Sequence, residues 1–139
     1  MIIPAMNNLH ETELIIDIEN CISNGKSFLG ICLGLQLLFE FSDEGCTKGL
    51  GIIEGHIRKI PKIDDQRITH VGWCKLSPTK KNTLLIEYEL NEWVYFVHSY
   101  HAVPKESKII AAQVDYGPEK LTAIIEDENL LACQFHPCL

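Results

Sequence analysis

The sequence predicts an α/β domain with a central parallel sheet and an antiparallel extension, and three observations carry that fold class. A helix-period segment ends at Asn24-Gly25 and runs straight into the short apolar stretch Ser27 to Ile31. That stretch breaks at Cys32, between Gly30 and Gly34, into a second helical pattern. From Gly49 onward one strand candidate follows another, so a βαβα run gives way to strands alone.

Taken in order, Met1-Ile2-Ile3 is an apolar stub of strand character, closed by Pro4. Leu9 to Ser23 carries Leu14, Ile15, Ile18, Cys21 and Ile22 at the spacing of one helix face. Gly25 stops that helix, because glycine takes positive φ without penalty. Ser27 to Ile31 is too short and too apolar for anything but a buried strand. Leu33 to Phe41 predicts a helix with Leu33, Leu37, Leu38 and Phe41 on its buried side. Gly49 to Ile60 reads as two short strands bent at glycines, and Pro61 to Gln66 as a polar loop. Val94 to Tyr100, Ile109 to Val114, Leu121 to Ile125 and Leu130 to Phe135 complete the expected strands.

At 139 residues the chain is one domain by size, and residues 1–139 are read as such. A net charge of −7 with scattered basic residues disfavours nucleic acid and anionic membrane surfaces as partners. No apolar run reaches membrane-spanning length, and the first residues lack the pattern of an export signal. A cytoplasmic location follows as the expectation. The six cysteines are evenly spread without metal-ligand spacing, so reduced thiols are expected rather than a disulfide framework. His98 and His101 point to opposite faces or straddle a bend, which argues against a metal site there.

Cys32 is the residue with chemistry. A thiol attacks an amide as thiolate, and a free cysteine with pKa about 8.5 is mostly protonated at neutral pH. At the start of a helix the positive end of the dipole is expected to lower that value. Gly30 and Gly34 allow a sharp turn and a close approach by substrate, and the Leu33 N–H is placed for an oxyanion. His136, after a strand and before Pro137, offers a base that takes the thiol proton and returns it to a leaving amine. A carboxylate to orient that imidazole is expected near it in space. Taken alone, a cysteine at an apolar junction is more often packing than nucleophile.

The string Phe28-Leu29-Gly30-Ile31-Cys32-Leu33-Gly34-Leu35-Gln36-Leu37-Leu38-Phe39-Glu40 resembles the nucleophile elbow of class I glutamine amidotransferases. Lys48-Gly49-Leu50-Gly51, His70-Val71-Gly72-Trp73, Tyr95 to Tyr100 and Gln134-Phe135-His136-Pro137 recur in that family's glutaminase subunits in the same order. The resemblance implies a flavodoxin-like sheet and a γ-glutamyl thioester on Cys32, with His136 as base and acid. It places Gln36 and Glu44, with Leu33 and Gly34 at the elbow and backbone groups of Ser99 and Tyr100, around the glutamine substrate. It implies no cofactor and no metal. Its implied partner is a (β/α)8-barrel synthase/cyclase subunit of histidine biosynthesis that consumes the released ammonia, with His70 to Trp73 toward it.

The chain departs from that pattern at four places. Cys138 follows His136-Pro137 where the family has glutamate, and the sequence stops at Leu139 before the family's final helix. The family's first strand-helix-strand unit has no counterpart here, so the fold is expected to be incomplete, with a sheet edge and an apolar face open. After Met1-Ile2-Ile3-Pro4 the family's Pro-Gly-X-Gly oxyanion loop is absent, since Ala5 to His10 resembles the helix beyond it. In a serine triad the carboxylate accounts for about four decades of rate, and one oxyanion donor for about 10²–10³. Three readings stay open on sequence alone: a working glutaminase, a catalytically impaired remnant or binding module, and an amidotransferase of a bacterial surface-sugar pathway. The carboxylate of Leu139 is a conceivable substitute for the missing glutamate.

Overall fold

The structure is a computed structural model that describes residues 1–64, 69–79 and 92–137. The chain opens with two helices, α1 (Ile2–Glu11) and α2 (Leu14–Ser23). Strand β1 (Phe28–Ile31) leads into the short helix α3 (Leu33–Leu37), then β2 (Phe39–Ser42), a 3₁₀ turn at Glu44–Cys46, β3 (Thr47–Lys48) and β4 (Ile53–Lys59). Strands β5 (His70–Lys75), β6 (Ser77–Pro78), β7 (Trp93–His98), β8 (Tyr100–Pro104), β9 (Ile110–Tyr116), β10 (Glu119–Asp127) and β11 (Leu130–Cys133) follow.

Several expectations are corrected at the start of the chain. Met1 to Ile3 is not a strand: Ile2 and Ile3 begin α1, which tolerates Pro4 because first-turn N–H groups have no intrahelical acceptor. Ile2 and Met6, four residues apart, are buried together on one face. The single helix expected over Leu9 to Ser23 is two helices, broken where Glu13 takes φ 57°. At the end of α2 the stop is as expected, with Gly25 at φ +78°. The Gly25 N–H bonds to the Ile22 carbonyl at 3.0 Å and the Lys26 N–H to that of Cys21 at 3.1 Å. These are the paired bonds of a Schellman stop. The Asn129 amide then ties this end to the loop before β11 through the carbonyls of Ile22 and Lys26.

The helix expected over Leu33 to Phe41 ends at Leu37, and Phe39 to Ser42 is strand. Long-range pairing overrides the local pattern there. β2 runs parallel to β4 and antiparallel to β3, which satisfies its backbone on both sides. Its burial differs from the expectation accordingly: Leu35, Leu38 and Phe39 are buried, whereas Leu33, Leu37 and Phe41 are partly so. The two strands expected over Gly49 to Ile60 are one, β4, with Gly55 at φ +134° against the Val103 carbonyl. Residues 61–64 form no regular element, and the remainder of the expected polar loop, 65–66, lies outside the described residues. The strand expected over Val94 to Tyr100 is divided at Ser99 between β7 and β8.

Among the described residues the main sheet has the order β1-β11-β10-β9-β6, a second sheet β3-β2-β4-β8, and β5 pairs with β7 as a ribbon. The parallel pairs are β1 with β11 and β2 with β4, and the other pairs are antiparallel. Alternation along β11 divides the core in two. Leu130 and Ala132 pack with Leu35, Leu38, Phe39 and Ile57 on one face. Leu131 and Cys133 pack with Phe96, Val114, Leu121 and Phe135 on the other. The main sheet therefore separates the α3 layer from the β5–β7 ribbon.

β1 is not buried on both faces. It ends the main sheet, and Leu29 and Ile31 are 57% and 39% exposed. An apolar edge strand is a template for association. Leu29→Lys is expected to reduce self-association in light scattering while leaving the unfolding free energy within about 0.5 kcal/mol of the parent. Unchanged scattering would show that this edge is not the sticky surface.

Candidate active site

Cys32 stands where β1 stops. Its N–H bonds to the Cys133 carbonyl at 2.7 Å, the last rung of the β1–β11 ladder, and its own carbonyl receives the N–H groups of Leu35 and Gln36. The backbone reverses sharply, with Cys32 at φ 51°, ψ −105°. A non-glycine residue held there stores about 1–3 kcal/mol of strain, and such strain gathers at functional sites. Gly30 permits the reversal: a Cβ on it would lie 3.1 Å from the backbone C and O of Gly34. Gly34 faces open space.

A cavity of about 250 Å³ opens beside the thiol, lined by Cys32, Leu33, Gln36, Glu44, Ser99 and Tyr100 together with Met1, Thr69, Val97 and His98. Six of the sequence-expected residues thus meet from three separate stretches of chain. Gly34 and His136 are not among the lining residues. His136 is partly exposed just beyond β11, and among the described residues no hydrogen bond joins it to Cys32. The expectations about Cys138 and Leu139 fall outside the described residues. Glu44 accepts the α-amino group of Met1.

The thiol's own partner is the Gln134 amide, whose Nε2 lies 3.7 Å from Sγ. Burial pushes the Cys32 thiol up, and the Leu33 N–H and the Gln134 amide oppose that rise. This corrects the expectation of a dipole-lowered thiol: α3 spans five residues, too short a helix to outweigh desolvation. The same burial, with the Cys32 charge nearby, drives Cys133 up to about 11 and leaves it inert.

A polar chain continues from Gln134. Its Oε1 accepts from Gln36 Nε2 at 3.1 Å, and that same nitrogen donates to the Tyr100 carbonyl at 3.3 Å. The carbonyl also accepts from His98 Nδ1 at 2.8 Å. His98 Nε2 lies 2.9 Å from His70 Nδ1, and His70 Nε2 lies 3.1 Å from Cys74 Sγ. A carbonyl can only accept, so His98 carries its proton on Nδ1 and accepts at Nε2. His70 then donates from Nδ1 and accepts the Cys74 thiol proton at Nε2. Burial keeps both rings neutral, holding His98 down to about 4 and His70 below its usual value.

Sequence reasoning missed Gln134, His98 and Thr69, the last bonding to the Ser99 hydroxyl at 2.8 Å. Gln134 stands in the Gln134-Phe135-His136-Pro137 motif, and the register of β1 on β11 shows why it reaches the thiol. Gly30 pairs with Ala132 and Ile31 with Cys133, so one further step sets Gln134 beside Cys32. The described cysteines are all free, and no cluster of described residues could hold a metal ion. No helix among the described residues is long and apolar enough to cross a membrane.

The ribbon beside this site is apolar outside. Val71 faces Val97 and Trp73 faces Tyr95, and Trp73 and Trp93 are 55% and 61% exposed. Val97 belongs to both this face and the cavity wall, so the two adjoin.

Comparison with known proteins supplies the family. The family model described as glutamine amidotransferase class-I matches residues 1–138. The chain is 70% identical, over 134 residues, to the imidazole glycerol phosphate synthase subunit HisH of Prochlorococcus marinus subsp. pastoris (strain CCMP1986 / NIES-2087 / MED4). It is 71% identical over the same length to the HisH of Prochlorococcus marinus (strain MIT 9312). Each match covers 96% of this chain and 65% of the relative, so the chain spans about two thirds of their length. Among solved structures, a glutamine amidotransferase superposes with TM-score 0.65 at 16% identity, covering 93% of this chain and 62% of that one. PurLQS from Thermotoga maritima gives 0.64 at 17%, covering 89% and 57%. At such identities the structures speak for the fold, and the family match with the 70% relatives speaks for descent. The chain belongs to the class-I glutamine amidotransferase family.

Proposed function

We propose that this chain is the glutaminase component of an imidazole glycerol phosphate synthase. In this reading it hydrolyses glutamine to glutamate and ammonia through a thioester on Cys32. The observation that carries the reading is convergence: a strained cysteine at a strand-helix elbow opens onto one small cavity with Gln36, Glu44, Ser99 and Tyr100. At about 250 Å³ the cavity lies below the roughly 300–1,000 Å³ of sites for drug-sized ligands, and suits a single amino acid.

In this reading the His136 ring turns from its place beyond β11 onto Cys32 and takes the thiol proton, and the thiolate attacks the side-chain amide carbon of glutamine. The developing oxyanion meets the Leu33 N–H, and the Gln134 amide steadies sulfur while it carries charge. Collapse breaks the C–N bond and expels ammonia with the proton from His136. Water, deprotonated by the same imidazole, then cleaves the thioester to glutamate. The pathway assignment rests on relatives named as HisH subunits of imidazole glycerol phosphate synthase. The partner we propose is the barrel synthase/cyclase of the HisF type, received on the Val71, Trp73, Trp93 and Val97 face. Val97 also walls the cavity, so that face lies next to the place where ammonia would be released.

A glutamine-analogue electrophile tests the reading. Mass spectrometry is expected to find one adduct, on Cys32, with none in Cys32→Ser and glutamine turnover reduced at least about a thousandfold in that variant. No adduct on the parent chain, even with the barrel subunit present, refutes it.

A further inference from the structure

The geometry points to His98 as a positioning residue for glutamine, acting through the Tyr100 carbonyl rather than on the reacting atoms. This rests on the glutaminase reading above. His98 lines the cavity and is 6% exposed, yet both of its ring nitrogens are engaged. Nδ1–H donates to the Tyr100 carbonyl at 2.8 Å, and Nε2 accepts from His70 at 2.9 Å. A ring with neither nitrogen free is poorly placed to shuttle protons in the cavity. What it can do is hold a backbone group still.

That group decides the polarity of everything leading to the sulfur. The Tyr100 carbonyl accepts from His98 and from Gln36, so it makes Gln36 present its NH₂ end. The other hydrogen of that NH₂ goes to Gln134 Oε1. Gln134 must then turn its own NH₂ toward Cys32 Sγ, giving the sulfur a donor. Were either amide reversed, a carbonyl oxygen would face the sulfur and oppose its charge. Tyr100 and Ser99 meanwhile form the cavity wall, so a carbonyl that swings free disturbs the pocket and the amide order together. His70, fixed in turn by the Cys74 thiol, locks His98 in the tautomer that donates to Tyr100.

Two substitutions divide the ring's functions. The amide of asparagine reaches the position of Nδ1, and that of glutamine the position of Nε2. His98→Asn keeps a donor for the Tyr100 carbonyl and loses the bond to His70. His98→Gln does the reverse. Labelling of Cys32 is followed against the concentration of the glutamine-analogue electrophile, with iodoacetamide as a reagent indifferent to the pocket. His98→Gln is expected to raise the half-saturating concentration at least about tenfold and, because the amide order at the sulfur is lost with the Tyr100 contact, to slow iodoacetamide labelling as well. His98→Asn is expected to remain within about threefold of the parent in both. Independently of any variant, ¹⁵N NMR of the parent chain is expected to show His98 protonated at Nδ1 and bare at Nε2.

Equal labelling of His98→Gln and parent overturns the proposal, as does equal impairment of both variants or the opposite tautomer. A parent chain that takes no analogue at all overturns the glutaminase reading itself, a different outcome from any of these.

Discussion

Gly49→Ala is expected to destabilise the protein by about 3 kcal/mol or more. A Cβ at this position would lie 2.1 Å from the Phe39 carbonyl oxygen and 2.9 Å from that of Leu37. Both are backbone atoms, so no side-chain rotation relieves the overlap. Residues 49–51 thread against the α3–β2 junction: the N–H groups of Gly49, Leu50 and Gly51 bond to the carbonyls of Glu40, Leu37 and Phe39 at 3.0, 2.8 and 3.1 Å. Pushing the segment away strains all three bonds and shifts α3, which carries Gln36 and directly follows Cys32. Gly34→Ala is the control. Nothing lies within 4 Å of its Cβ, and alanine is the better helix residue by about 0.5–1 kcal/mol. Urea midpoints should therefore move in opposite directions for the two variants. Equal midpoints would mean that the Gly49 contact yields without penalty.

Acid is expected to destabilise the fold well above the pH at which carboxylates titrate. Burial holds His98 down to about 4, and His70 and His101 shift in the same direction for the same leading reason. In the unfolded chain these rings titrate at about 6.5. Below that pH the unfolded state binds protons that the folded state refuses, so stability is full above about pH 6.5 and falls as pH drops toward 4. From His98 alone the loss is about 2 kcal/mol between pH 6.5 and 5, and about 3 kcal/mol by pH 4. The charges of His70 and His101 deepen the effect on His98, whereas its bond to the Tyr100 carbonyl resists it. Urea unfolding at pH 7, 6, 5 and 4 reads the slope directly. His98→Asn should flatten the pH 6.5 to 5 segment; a slope that survives that substitution unchanged would assign it to other groups.

The contrast between α3 and β2 shows how far local pattern carries. Leu33 to Phe41 has helical spacing throughout, and nothing within those residues says that Phe39 must leave the helix. The decision comes from β4, whose Ile53 and His56 pair with Phe39 and Phe41. Met1 to Ile3 fails for a related reason. Three apolar residues suit a strand or a buried helix turn, and the packing of Ile2 with Met6 selects the helix. Where a signal was local and chemically specific it held, as with the Gly25 stop and the break at Cys32.

Cys32 at a strand-helix elbow with Gly30 before it, the family, and six of the cavity's residues were all determined by the sequence itself. These features depend on short-range backbone chemistry and on motifs that keep their order along the chain. The tertiary structure alone decided the protonation order around the sulfur. Gln36 meets Gln134 across 98 residues and Gln134 meets Cys32 across 102, while His70 and His98 join across the ribbon. It also decided that the resting thiol is raised rather than lowered, because desolvation depends on what surrounds Cys32 in space and outweighs a five-residue helix.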